Sequence, residues 1–111
     1  MRNEELLQKT KAFAHKCVKL ALSLPATSLG EHIRPQLIRS ATAIASNFRT
    51  ACVSESSDNI SSRINTIIEE SEECAFWLEF IKDEELLETE KLEVLLDNLN
   101  GLNDSFNDYQ S

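Results

Sequence analysis

The densest run of ionisable side chains is Glu69-Glu70-Ser71-Glu72-Glu73, and its spacing has chemical meaning. On a helix, carboxylates four residues apart share a face. Glu69 and Glu73 could thus hold Mg²⁺ together with the phosphates of a substrate. Downstream, Glu90 and Glu93 could be forced into a second acidic pair, at a loose match. The same periodicity turns Glu69 and Glu73 away from the apolar stripe of their own helix and towards Phe76 and Phe80, so a solvated or arginine-paired face is the competing reading. Other catalytic patterns are missing. His15 and His32 are preceded at three residues by Ala12 and Leu29, where a di-metal bundle site has Glu. There is no HExxH, no nucleophile elbow and no Gly-rich phosphate loop. Cys17, Cys52 and Cys74 are odd in number, widely spaced and set among apolar residues, the pattern of buried free thiols suited to a reducing cytoplasm. No catalytic, cofactor-binding or metal-ligating residue is assigned, and no cofactor is expected.

The elements that carry these residues are helices. Two glycines and two prolines in 111 residues leave few breaks, and no strand-like alternation occurs. A chain of this length reads as one domain, residues 1–111, with enough apolar content for a single core. No apolar run approaches the roughly 18 residues that span a bilayer, so no membrane role is expected. Residues 3–22 form the first helix, with Leu6, Phe13, Cys17 and Leu20 on one stripe and Pro25 to stop it. Leu37, Ala41, Ile44, Phe48 and Cys52 mark the second, over 31–53. The third, over 57–82, repeats Ile60, Ile64, Ile67, Ser71, Cys74, Leu78 and Ile81 at alternating spacings of four and three. That is the seam of near-parallel helices in a bundle. Leu92, Leu95, Leu99 and Leu102 define the fourth, over 88–102, before a polar tail at 103–111 expected to fray. Short connections then imply an all-α, antiparallel, up-down-up-down four-helix bundle.

Two surface signals remain. Phe76 and Phe80 fall roughly opposite the third helix's core stripe and Trp77 lies well off it, which suggests a second buried surface of the kind found between subunits. In the second helix, Arg39, Thr42, Ser46 and Arg49 form one stripe, with Ser40, Ala43, Asn47 and Thr50 beside it. Small side chains there would let another backbone approach closely. Arg39, Ser40, Asn47, Arg49, Phe76, Trp77 and Phe80 are therefore the expected oligomer interface. Charge is unevenly spread. Residues 1–63 carry nine basic against five acidic side chains (+4), and residues 64–111 carry two against fourteen (−12), for the total of −8. This permits attraction between unlike halves of two subunits, or a local basic patch on an acidic protein. Lys9, Lys16, Lys19 and Arg34 are the candidate nucleic-acid patch.

The runs LPATSLGEHIRPQLIRSATAIASNFRTA and DNISSRINTIIEESEECAFWLEFI carry a family resemblance. Leu24-Pro25, then Gln36, Arg39, Ser40, Ile44 and Asn47, then Glu70, Glu73, Trp77, Leu78 and Glu79 resemble the pattern of the 23S rRNA intervening sequence proteins. The likeness spans roughly residues 5–100. It differs where many members carry Ser-Ile and Glu-Ala, here Ala43-Ile44 and Thr50-Ala51. The resemblance implies an antiparallel four-helix bundle, assembly into a ring-like homopentamer and no established enzymatic activity. It also implies kinship with the accessory protein of diversity-generating retroelements, a basic pentamer that binds a reverse transcriptase and nucleic acid. The expected role is a homo-oligomeric scaffold for a protein or ribonucleoprotein partner, with a nucleic-acid-binding accessory protein as the alternative. A third reading rests on Glu69-Glu70-x-x-Glu73, which is similar to the magnesium-binding run of all-helical nucleoside triphosphate pyrophosphohydrolases.

Overall fold

In the computed structural model, which describes residues 2–110 (side chains for 3–109), the chain folds into four helices. They are α1 (Arg2–Leu22), α2 (Ser28–Val53), α3 (Ser57–Asp83) and α4 (Thr89–Gln110). At ~1.5 Å per residue the 26 residues of α2 run ~39 Å, most of the 44 Å long axis of the molecule. The α2–α3 connection is residues 54–56, far too short to retrace that length. The chain must reverse direction, and the contacts across the seam confirm it. Asn47 meets Arg63, Arg39 meets Glu70 and Glu73, and His32 meets Trp77, so stepping back along α2 steps forward along α3. Each helix packs against its sequence neighbours, and α1 closes the bundle against α4.

The core is the set of stripes that periodicity marks out, except that Cys52 and Ile60, at the ends of theirs, are only half-buried. Phe13, Cys17, Leu37, Ile44, Phe48, Ile64, Ile67, Cys74, Leu78, Ile81, Leu92 and Leu99 are all at most 2% exposed. At about 1.5–3 kcal/mol for each large apolar side chain buried, these stripes are the main force holding the helices together. The centre of the bundle also holds a thiol pair, in which Cys17 hydrogen-bonds with Cys74. That bond and burial push the Cys17 thiol far above its usual range, so it stays protonated and unreactive.

Two boundaries differ from expectation by more than one residue. α2 begins at Ser28 rather than residue 31, because the Thr27 hydroxyl accepts a hydrogen bond from the Gly30 N–H at 3.1 Å and caps the helix earlier. Pro35 consequently lies two turns inside α2. α3 begins at Ser57, as expected, and is capped by Ser56, whose hydroxyl accepts from the Asn59 N–H. The largest correction concerns the tail. Residues 103–110 do not form a separate polar segment but continue α4, because Phe106 extends the Leu92–Leu102 stripe by four residues and is fully buried. Phe106 packs at a tilt against Phe48 and Tyr109 meets it edge-on, with ring centroids 5.8 and 5.3 Å away. They do not cover the aromatics of α3.

The α1–α2 turn is the tightest joint. A Cβ on Gly30 would overlap the Pro25 carbonyl, so this position admits no side chain. Gly30→Ala is expected to cost about 1–3 kcal/mol, as overpacking does, read as a lowered urea midpoint. The end of α3 is the converse case. Leu86 N–H donates to the Ile81 carbonyl and Glu85 N–H to that of Lys82, a paired closure that puts Glu85 in the left-handed region at φ 55°. A residue with a Cβ pays roughly 1 kcal/mol there. Glu85→Gly is therefore expected to add up to about 1 kcal/mol of stability, read as a raised urea midpoint.

Candidate interaction surface

The α2/α3 groove carries the most ordered set of surface contacts. Burying Ile64, Ile67, Ser71, Cys74 and Leu78 rolls α3 so that Arg63, Glu70, Glu73 and Trp77 line its border with α2. The Arg39 guanidinium bridges two carboxylates about one turn apart on α3. Its Nη1 donates to both Glu70 carboxylate oxygens at 3.2 Å, and its Nη2 donates to Glu73 Oε2 at 2.6 Å. Trp77 Nε1 donates to the same Glu73 oxygen at 3.4 Å. Hydrogen bonding from Arg39 holds the Glu73 carboxyl below its usual range, and Glu73, then Glu70, raise the pKa of Arg39. Further along the groove, Arg63 donates to Asn47 Oδ1 at 2.9 Å while Asn47 Nδ2 donates to the Ala43 carbonyl. At the other end His32 meets the Trp77 ring edge-on at 5.8 Å, and Phe76, Trp77 and Phe80 contact one another at 5.0–6.2 Å.

This geometry sorts the expected interface residues. Phe76 is 52% exposed, while Trp77 and Phe80 are half-buried, so the aromatic cluster is available at the surface. Arg39 lies exposed but is engaged within its own chain. Asn47 is half-buried and likewise bonds internally. Ser40 is corrected outright: it is fully buried, its hydroxyl donates to the Leu37 carbonyl, and it has no surface to offer a second chain. The small-residue contact there is internal, since the antiparallel register places Ser40 level with Ser71, which is also buried. Arg49 stands on a different face. With Lys11 and His15 it rims a groove of about 620 Å³ between α1 and α2, lined by Leu7, Ala14, Val18 and Ala45. The sequence reading passed over Lys11 and this groove. The signal was the 11/15/18 spacing on α1 facing 42/45/49 on α2.

The basic patch is also redrawn. Arg34 is spent on structure: its Nε donates to the Ala21 carbonyl at 3.1 Å and its Nη2 to that of Leu24 at 2.9 Å, while Nη1 pairs with Glu31. It closes the carbonyl end of α1, an arrangement open to arginine's forked donors. Lys9 and Lys16 line a cleft of about 350 Å³ between α1 and α4, but share it with Asp97. Lys19 is exposed at the end of α1. The acidic run is engaged too. Glu70 and Glu73 are held by Arg39, so a Mg²⁺ ion at this run would have to displace a guanidinium. Among the described residues no three His, Cys, Asp or Glu side chains come together as a metal site, and no helix is long and apolar enough to cross a membrane.

The model of the 23S rRNA-intervening sequence protein family matches residues 2–107. A crystal structure from Bacteroides thetaiotaomicron, described as a protein of unknown function from the S23 ribosomal protein family, is similar to this chain. The two superpose with a TM-score of 0.91 at 24% identity, covering 99% of this chain and 98% of that one, a likeness of fold. No curated protein matches the chain.

The Arg39 clamp gives a pH-dependent expectation. A carboxyl whose folded pKa is lowered contributes stability that is whole above its ordinary value of 4.5 and lost as pH falls through the lowered one. The partners are 51% and 37% exposed, so water screens the pair. Arg39→Ala should cost only about 0.5–1 kcal/mol at neutral pH. Urea midpoints of mutant and parent should converge as the solution is acidified below pH 4.5.

Proposed function

Since the chain belongs to the 23S rRNA-intervening sequence protein family, we propose that it acts as a non-enzymatic, homo-oligomeric helical-bundle scaffold for a protein or ribonucleoprotein partner. The observation that carries this reading is the Phe76–Trp77–Phe80 cluster. Neither α4 nor its C-terminal turns cover it, and Phe76 keeps half its surface. Exposed aromatic clusters of this kind are typical of subunit contacts rather than of solvated helix faces. The expected assembly is a ring of five, on the strength of the family resemblance. A non-enzymatic role fits the engagement of Glu70 and Glu73 by Arg39, which takes two of the three candidate ligands of a magnesium-dependent pyrophosphohydrolase. Two thiols at the bundle centre and a third against Tyr109 fit a reducing compartment such as the cytoplasm.

Light scattering of the purified chain tests the assembly. With a chain mass of 12.5 kDa, five copies weigh about 62 kDa. A mass that stays at one chain across the micromolar to millimolar range would remove the scaffold-ring reading.

A further inference from the structure

We propose that the groove between α1 and α2 is the seat for the outward ridge of α3 from a second copy of this chain. The inference rests on the oligomeric reading and names its two surfaces. The ridge is the face of α3 opposite the core seam. Glu69, Glu72, Phe76, Glu79 and Asp83 recur at spacings of three and four and are all exposed. It is an acidic helix face with one aromatic knob at its middle. The groove is its complement: an apolar floor of Leu7, Ala14, Val18 and Ala45, rimmed by the cations Lys11 and Arg49 and by His15. Among the described residues neither Lys11 nor Arg49 makes an ion pair, and neither do Glu72, Glu79 and Asp83.

One chain cannot bring these surfaces together. α1 and α3 sit at opposite corners of the bundle, so the α3 ridge points away from the α1/α2 groove. A second copy supplies the missing half, and each copy has one of each. Thr42, Ala45 and Ser46 on the α2 wall are small, which lets a helix approach closely. A helix enters a groove through anchor side chains on one face; here Phe76 is the anchor, and the carboxylates on either side of it face the groove's cations. Because groove and ridge are different patches, the contact is head-to-tail, the type that closes into a ring.

Charge reversal tests this. Lys11→Glu with Arg49→Glu inverts the groove, and Glu72→Lys with Glu79→Lys inverts the ridge; all four positions are exposed. Circular dichroism checks that each variant remains helical. Each reversed chain should fall to the mass of one chain in light scattering, and a chain carrying both reversals should assemble again. Phe76→Ser, at a position that contributes little to the core, should lower the assembled mass on its own. If the parent assembles but either reversed chain or Phe76→Ser keeps the parent's mass, or the doubly reversed chain fails to recover, the groove–ridge contact is wrong while the oligomeric reading stands. A parent that is monomeric removes both.

Discussion

Every surface feature of this bundle depends on how α3 is rolled about its axis. Its seam from Ile64 to Ile81 faces the centre of the bundle and is at most 1% exposed. Burying each Ile or Leu of that seam is worth about 1.5–3 kcal/mol, whereas a partly exposed ion pair contributes at most about 1 kcal/mol. The seam therefore sets the roll, and the Arg39 clamp follows from it. With the seam inward, 100° per residue leaves Glu70, Glu73 and Trp77 at the α2 border and Glu72, Phe76 and Glu79 facing out. The charged groove and the aromatic ridge are two consequences of one packing choice.

The joints between helices hold that choice in register. Leu24, Pro25, Thr27 and Gly30 close the α1–α2 turn around a backbone approach that excludes a Cβ, and Arg34 ties the carbonyl end of α1 to α2. On the opposite edge, Phe106 and Tyr109 pack on Phe48, so the last two turns of α4 complete the hydrophobic core. Ser40 and Ser71 lie at one level of the α2/α3 seam, and Ser71 Oγ has no hydrogen-bond partner there. Two small side chains at that level leave room for the helices to approach, at the cost of one unpartnered hydroxyl.

Which residues were readable in advance follows from how local their signals are. The core stripes were legible because apolar periodicity is a property of each helix alone. The tail was misread because its polar composition outweighed one phenylalanine. Yet Phe106 continues the three-four spacing of α4, and Gly101 sits in open space that does not interrupt the helix. Ser40 was assigned outward because a small polar residue beside a stripe edge suits either a solvent contact or a tight internal seam. Only the neighbouring helix distinguishes the two.

By itself, the sequence determined four amphipathic helices, the order in which they pack, the residues of their core and the family to which they belong. These depend on the period of apolar side chains and on turns of a few residues. Tertiary structure decided where the charges go. It spent Arg34 on the end of α1, gave Arg39 to Glu70 and Glu73 of its own chain, and brought Lys11, His15 and Arg49 together from two helices. Long charged side chains reach several ångströms in any direction. Where they pair between helices, their partners are fixed by which helices become neighbours and in what register, and no local pattern encodes that.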